Sequence, residues 1–221
     1  DLPHPAGVAR MSATRKPFRR EGEDRRRQDL LAAAVAIVAE SGIAGATVRE
    51  IALRAGVTPG LIRHYFPGKD DLLRQAYLET MEGLTEAARQ AIAGGTGPAR
   101  ERLLAFVEAN LTPPVANAGS LSVWAAFIAK VHAEPVFATI HRDTYLAFRR
   151  EIERLVAEVL GDTDQAAIVR LAIAINALID GLWLEASLAP DLFGEGELSR
   201  AGRMAVEALL DGALTSREGA P

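Results

Sequence analysis

Hydrogen-bond donors are concentrated in a short stretch between Thr58 and Lys69. Its Thr, Arg, His, Tyr and Lys side chains can donate to phosphate oxygens, and Arg and Lys also supply positive charge. Gly60 has no side chain, so the backbone beside it can approach a base edge closely. This chemistry is typical of contact with DNA. The residues expected to contact DNA, including one at the start of the preceding helix, are Thr47, Thr58, Pro59, Gly60, Arg63, His64, Tyr65 and Lys69.

Two short helices must present these donors, and local signals define both of them. Thr47 is followed three residues later by Glu50, the pattern of a capping box, and Gly56 suits the left-handed end of that first helix. Thr58 and Pro59 then begin a second short helix. Two capped helices joined by a glycine turn predict a helix-turn-helix, whose second helix enters the major groove of DNA.

The alternative for the same stretch is a pair of ordinary bundle helices. Leu61 and Ile62 are expected to include the residues that anchor the second helix to the small core beneath it. Phe66 is expected to be a core residue. For Tyr65 we expect a buried ring whose hydroxyl group reaches a phosphate.

The charge is distributed unevenly along the chain. Residues 10 to 69 contain twelve Lys or Arg and six Asp or Glu, a net charge of +6, whereas residues 70 to 221 contain thirteen and twenty-two, a net charge of −9. With Asp1 these sum to the overall net charge of −4. A basic N-terminal segment on an acidic body favours contact with a polyanion. The alternative is a basic tail that maintains solubility.

The composition favours an all-α protein. Of the 221 residues, 49% are hydrophobic, and Ala, Leu, Arg and Glu dominate without alternating Val, Ile or Thr runs. The chain has no Cys, which excludes disulfides and zinc–thiolate sites. We find no charge-free apolar stretch of about 18 residues and no signal peptide, so we expect no membrane span and a cytoplasmic location.

Helical periodicity and breaker residues divide the chain into segments. We expect a flexible arm over residues 1 to 24, a three-helix helix-turn-helix domain over 25 to 70, and a larger helical domain over 71 to 216. Residues 1 to 10 are left outside the fold because Met11 is a candidate start. The predicted helices cover residues 25 to 41, 47 to 55, 58 to 66, 69 to 92, 98 to 111, 118 to 132, 135 to 160, 164 to 189 and 195 to 214.

The segment Val169–Leu188 is apolar on nearly every side, interrupted by Asn176, Asp180 and Glu185. A helix that is apolar all round is buried all round. A domain of this size can cover one face itself, and a partner must cover the other. We therefore expect a homodimer, in which this helix and the last one form the interface. The interface residues predicted on this helix are Ile168, Leu171, Ile175 and Leu178.

Aromatic and acidic side chains are candidates for a ligand site within this apolar body. Trp124 and Phe127 lie three apart on one predicted helix, and Asp180 and Trp183 lie on the apolar helix, with Glu185 nearby. Aromatic faces attract cations and a carboxylate neutralises them, so the set Trp124, Phe127, Asp180 and Trp183 predicts a site for a cationic amine. The alternative is that the rings are core packing and the acids are solvated or capping residues.

The span from Arg25 to Leu73 resembles the N-terminal domain of TetR-family (tetracycline-repressor-type) regulators. The residues that carry the resemblance are, in order, the segment Ala34 to Gly42, Thr47-Val48-Arg49-Glu50-Ile51-Ala52, Ala55-Gly56-Val57-Thr58, His64-Tyr65-Phe66, Lys69 and Leu72-Leu73. The resemblance implies a homodimeric, all-helical repressor with a ligand pocket in its C-terminal domain.

Two C-terminal segments are similar to those of BetI-type repressors, which respond to choline. They are Trp124-Ala125-Ala126-Phe127, followed by Pro135, and Ala177-Leu178-Ile179-Asp180-Gly181-Leu182-Trp183-Leu184. The segment from Thr58 to Phe66 fits the same group. This resemblance implies a choline-like or other amine effector.

These observations predict a transcriptional repressor that binds a palindromic operator as a dimer and is released by a small effector. The alternatives are a repressor of the same family that senses an apolar or acyl metabolite, a ligand-independent DNA-binding or adaptor protein, and a helical enzyme. His132 and His141 are candidate bases, but the sequence contains no nucleophile elbow, phosphate loop, metal cluster or paired catalytic carboxylates. We therefore expect no catalytic residue, no cofactor and no metal ion.

Overall fold

The computed structural model describes residues 16 to 161 and 164 to 218, and over these residues the chain forms nine α-helices and no strand. This confirms the predicted all-α fold, and each predicted helix has an observed counterpart. The helices are α1 Lys16–Gly45, α2 Val48–Arg54, α3 Pro59–Tyr65, α4 Lys69–Ala91, α5 Ala99–Asn110, α6 Ala118–Val131, α7 Pro135–Leu160, α8 Gln165–Leu188 and α9 Glu197–Glu218, with a 3-10 turn at Pro190–Leu192.

Proline and glycine set several helix ends. Pro59 and Pro135 are the first residues of α3 and α7, where a missing N–H leaves no helical hydrogen bond unmade. Gly161 ends α7 with a φ of +76°, in the left-handed region. Gly42 has a φ of +68° and kinks α1, so the stop predicted there is followed by a few more helical residues.

The N-terminal core is built by α1 to α4 and completed by residues of α6 and α7. Ile37, Ile51 and Ile62 are each at most 2% exposed and pack together in this core. Phe127 of α6 and Phe137 of α7 belong to the same cluster. The helix-turn-helix is therefore connected to the C-terminal part of the chain through α1, which packs against α6, and through α4, which packs against α7.

The C-terminal core is built by the end of α4 together with α5, α7, α8 and α9. Ile168, Leu171 and Ile175 of α8 are at most 7% exposed and face this core. The sequence-based assignment of these residues to a dimer interface is therefore wrong, because they are covered by their own chain. The exposed apolar residues of α8 share a different face, and they are Ala166, Ile173, Ala177, Gly181, Leu184 and Leu188.

The flexible arm predicted over residues 1 to 24 is corrected in part. Residues 1 to 15 lie outside the described residues, but residues 16 to 24 are helical and continue into α1. Extending an existing helix avoids the unfavourable nucleation step, and Lys, Arg and Glu are good helix formers. Arg27 fixes this part of α1 to the fold, since its Nη1 donates to Glu79 Oε1 at 3.0 Å and its guanidinium lies 5.3 Å from the centre of the Phe66 ring.

Residues 22 to 45 of α1 and the whole of α8 are long and apolar enough to cross a membrane by length and composition alone. The inner faces of both helices contribute to the two apolar cores, and the core helix of a globular protein satisfies the same criterion. The expectation of no membrane span stays a prediction.

Candidate functional site

The helix-turn-helix begins with a cap on α2. Thr47 Oγ1 accepts a hydrogen bond from the Glu50 N–H at 3.2 Å, as the sequence predicts. The N–H of Thr47 donates to the Gly45 carbonyl at 2.8 Å instead of to the Glu50 side chain, so only half of the capping box forms. The cap fixes the end of α2, and it places the exposed Thr47 where a phosphate can approach a helix N-terminus.

The turn between α2 and α3 has the geometry of a Schellman motif. Gly56 has a φ of +65°, its N–H donates to Leu53 at 3.2 Å, and the N–H of Val57 donates to Ala52 at 2.9 Å. The carbonyls at the end of α2 are therefore satisfied locally. The angle between the two helices is fixed by the backbone before any DNA is bound.

Helix α3 divides its residues between the core and solvent. Ile62 and Phe66 are 1% and 4% exposed and hold the helix down, as the sequence predicts. Leu61 and Tyr65 are half-buried, and the Tyr65 ring contacts the His64 ring edge to face at 5.1 Å. The residues on the solvent side are Thr58, Pro59, Gly60, Arg63 and His64.

Positive charge on this surface is available for a partner. In the described part of the chain neither Arg63 nor Lys69, the first residue of α4, pairs with a carboxylate, and the Thr58 side chain makes no capping hydrogen bond. Arg54 differs, since it binds Glu40 through two hydrogen bonds of 2.5 and 2.7 Å and lowers the pKa of that carboxyl group. The predicted DNA-contacting residues thus lie on α3 and at the first residues of the helices before and after it.

A cavity of about 550 Å³, part of it open to solvent, lies among α4 to α8. Its lining is largely apolar, with polar groups on α4, α5, α7 and α8. The aromatic lining residues are Trp124, Tyr145, Phe148 and Trp183, and the polar ones include Asn110, His141, Asn176 and Asp180. Of the predicted ligand residues, the cavity brings together Trp124, Asp180 and Trp183.

The two tryptophans of the chain meet in this cavity. Their rings lie 5.9 Å apart at an interplanar angle of 81°. Trp183 is fixed in place because its Nε1 donates to the Asn110 carbonyl at 2.8 Å, whereas Trp124 is half-buried. The two indole rings are therefore nearly perpendicular, and both residues line the cavity.

Phe127 and Glu185 do not line the cavity. Phe127 is fully buried in the N-terminal core, where its ring stacks on Tyr77 at 4.6 Å and on Phe137 at 5.7 Å. Glu185 is exposed on α8. A spacing of three residues from Trp124 put Phe127 on a neighbouring face of α6, which turns toward α4 instead of toward α8.

Asp180 is the one carboxylate among the cavity residues, all of which belong to the described part of the chain. Burial raises the pKa of Asp180 to about 6, although a hydrogen bond of 2.8 Å from Asn176 Nδ2 opposes this shift. At neutral pH the group is mainly ionised and lacks a cationic partner. A buried carboxylate of this kind is stabilised by any cation that enters the cavity.

Sequence reasoning missed the contact between α4 and α7 at the edge of the cavity. The Tyr77 hydroxyl lies 2.9 Å from His141 Nδ1. Burial lowers the pKa of His141, so the imidazole is neutral near pH 7, and burial followed by the Asp180 charge raises the pKa of Tyr77. His141 was considered only as a candidate base, because its partner lies 64 residues away and leaves no local signal.

Comparison with known proteins relates both parts of the chain to regulators. The family model described as bacterial regulatory proteins, tetR family, matches residues 30–76, and the model of the BetI-type transcriptional repressor C-terminal domain matches residues 99–211. The HTH-type transcriptional regulator BetI of Paraburkholderia phymatum is 32% identical over 186 residues, which covers 84% of this chain and 93% of that protein.

Solved structures show the same relationship. The crystal structure of a transcriptional regulator from Pseudomonas aeruginosa PAO1 matches with a TM-score of 0.76 and 32% identity, covering 90% of this chain and 95% of the other. A regulator from Saccharomonospora viridis, solved in complex with choline, has the same fold, with a TM-score of 0.69 and 22% identity, covering 85% of this chain and 96% of that one.

The relatives and both matched families are transcriptional regulators, which confirms the expectation that the chain is not an enzyme. Its N-terminal helix-turn-helix and its C-terminal helical part each match the corresponding family domain. The chain therefore belongs to the TetR family of transcriptional regulators, with a C-terminal domain of the BetI type.

Proposed function

We propose that this protein is a cytoplasmic, ligand-responsive repressor that binds a palindromic operator as a homodimer and is released from it by a small cation. The effector is choline or a similar amine. The observation that carries the proposal is the meeting of Trp124, Trp183 and Asp180 in one cavity.

The cavity supplies two interactions that favour a cation. A desolvated cation over an indole face gains about 2 kcal/mol, and the buried Asp180 carboxylate supplies the opposite charge. A carboxylate in this position disfavours fatty acids and other anions, because two like charges would share a buried space. A regulator in complex with choline has the same fold, which agrees with this choice of effector.

The DNA half of the proposal rests on α3. Gly60 and Thr58 lie on its exposed side, and Arg63 and Lys69 carry unpaired positive charge beside it. In a helix-turn-helix this face enters the major groove while the flanking cations contact phosphates. The unpaired positive charges of Arg63 and Lys69 would then be neutralised by phosphates of the operator.

Dimerisation is supported by the exposed apolar face of α8. Leu184 and Leu188 are 46% and 73% exposed, and Met204 of α9 is 68% exposed. Large exposed apolar side chains on neighbouring helices are typical of a surface that associates. Two copies joined here would offer two α3 helices to the two halves of a palindrome.

Helix α4 is the element that can couple the two functions. Lys69 at its start lies beside α3, Tyr77 in its middle is buried in the N-terminal core, and Met81 and Leu84 line the cavity. An effector that displaces the cavity end of α4 therefore displaces its DNA end. Repression is relieved when that movement changes the spacing of the two α3 helices, so that they no longer match the two halves of the palindrome.

The effector half is tested by titration calorimetry with choline and with 3,3-dimethylbutan-1-ol, which replaces the quaternary nitrogen by carbon. The proposal predicts that choline binds and that the neutral analogue of the same shape binds at least about 30-fold more weakly, given about 2 kcal/mol at 1.4 kcal/mol per tenfold. Equal binding of the two compounds would contradict a cation site and favour an apolar or acyl effector.

A further inference from the structure

Asn176 holds a buried hydrogen-bond acceptor that has no partner. The residue is 2% exposed and lines the cavity one turn before Asp180. Its Oδ1 is the one fully buried side-chain oxygen or nitrogen without a hydrogen-bond partner in the described part of the chain. Leaving such a group unsatisfied costs about 1–3 kcal/mol, so a ligand that satisfies it gains affinity.

The chemistry of the neighbour fixes which end of the amide is free. An ionised carboxylate only accepts hydrogen bonds, so the NH₂ group of Asn176 must face Asp180, and its Nδ2 donates to Asp180 Oδ2 at 2.8 Å. The carbonyl oxygen is therefore the end left over. It can only accept, and its partner must be an O–H or N–H group.

Several other polar groups of the cavity already have partners within the protein. Trp183 Nε1 donates to the Asn110 carbonyl, Asn110 Nδ2 donates to the Phe106 carbonyl at 2.8 Å, and Thr144 Oγ1 donates to the Ile140 carbonyl at 2.9 Å. None of these supplies the donor that Asn176 lacks. Because no described protein group donates to Asn176 Oδ1 in this structure, a donor on a bound effector can take that position.

We propose that Asn176 is a specificity-determining residue, which accepts a hydrogen bond from a hydroxyl or N–H group of the effector. This inference rests on the proposed cation site. Because Asn176 and Asp180 touch each other, the donor of the effector lies only a few bonds from its cationic centre. The ligand class is then a small amino alcohol, in preference to a tetraalkylammonium ion of equal size.

The test compares choline with propyltrimethylammonium, in which a methyl group replaces the hydroxyl, on the wild-type protein and on Asn176→Leu. Wild-type protein is expected to bind choline about tenfold more tightly, as one satisfied hydrogen bond implies. In Asn176→Leu, which fills similar space without an acceptor, the ratio is expected to fall to about one. Asn176→Ala serves the same purpose if the leucine variant does not fold.

The outcomes separate the two proposals. Equal binding of both cations by the wild-type protein overturns the role of Asn176 and leaves the cation site standing. If the folded Asn176 variants still prefer choline over propyltrimethylammonium by tenfold, another residue accepts from the choline hydroxyl, and this inference is overturned. If neither cation binds, the proposed effector class fails and the inference falls with it.

Discussion

The Tyr77 hydroxyl lies 2.9 Å from Nδ1 of His141. This contact joins α4, the helix that follows α3, to α7 at the wall of the cavity. Tyr77 is fully buried and its ring stacks on Phe127, in the same core that holds α3. His141 lines the cavity. In the proposed mechanism, a change in the position of His141 on effector binding would therefore be passed to the core of the helix-turn-helix through this hydrogen bond.

Replacing Tyr77 by Phe should weaken the coupling between the two sites. The ring keeps its stacking, but His141 Nδ1 loses its partner, so we expect the effector-induced loss of DNA affinity to shrink by about 1 kcal/mol, or five- to tenfold. Fluorescence anisotropy of a labelled duplex, with and without saturating choline, measures this quantity.

A matched control is Thr80→Val, which removes a hydroxyl that only donates to the Ala76 carbonyl within α4. Its coupling should equal that of the wild-type protein. Coupling that is unchanged in Tyr77→Phe would remove this hydrogen bond from the mechanism.

Gly60→Ala should change which DNA sequence is preferred without destabilising the protein. A Cβ atom added at Gly60 meets no atom within 4 Å, and Ala is a better helix former than Gly by about 1 kcal/mol. The added methyl group therefore interferes only with DNA. Selection of duplexes from a random pool, together with thermal unfolding, checks both parts.

Lys69→Ala is the contrasting variant, because a phosphate contact carries no sequence information. It should weaken all duplexes alike and lower the slope of log affinity against log salt concentration by roughly one. A change of sequence preference in Lys69→Ala, with overall affinity intact, would show that the roles of the two residues are assigned wrongly.

Cation binding should depend on pH through Asp180. Its pKa is raised by burial to about 6, and a bound cation favours the ionised form and so lowers that pKa. Affinity is then full above pH 7 and falls as the pH drops through 6, by up to about tenfold per pH unit. Calorimetric titrations with choline between pH 5 and 8 test this.

Asp180→Asn should bind choline weakly and lose the dependence near pH 6. Glu185→Gln, which removes an exposed carboxylate of the same helix outside the cavity, should keep the wild-type profile. If Asp180→Asn kept the wild-type pH dependence of choline affinity, the titrating group would be a residue other than Asp180.

Leu184→Glu should convert the proposed dimer to a folded monomer. Leu184 is 46% exposed on the apolar face of α8, so a charge there is tolerated by the free chain but would be buried at an interface without a partner. Sedimentation velocity at low micromolar concentration, with circular dichroism, distinguishes a monomer from an unfolded chain. Leu53→Glu, at a leucine 72% exposed on α2, should stay dimeric. A dimer that persists in Leu184→Glu would place the interface elsewhere.

Local signals explain which parts of the fold could be predicted from sequence. Thr47, Gly56 and Pro59 act on their immediate neighbours, and these are the positions at which the predicted ends of α2 and α3 agree with the structure. Residues 16 to 24 carry no apolar periodicity, yet they are helical because they extend α1.

Contacts between distant segments explain what could not be predicted. Ile173 and Ile175 of α8 are equally apolar, and only the packing of the neighbouring helices decides that the first is exposed and the second buried. The same holds for Trp124, which faces the cavity, and for Phe127, which faces α4. The free oxygen of Asn176 is visible only when all of its neighbours are in place.

The central claim is that operator and cation oppose each other, and one pair of titrations tests it directly. Choline affinity is measured by calorimetry with the free protein and with protein saturated by a selected palindromic duplex, and duplex affinity is measured with and without choline. Linkage requires both affinities to fall by the same factor, which typically corresponds to about 1–3 kcal/mol. Equal choline affinity in the free and DNA-bound protein would contradict the claim, even if each ligand bound well alone.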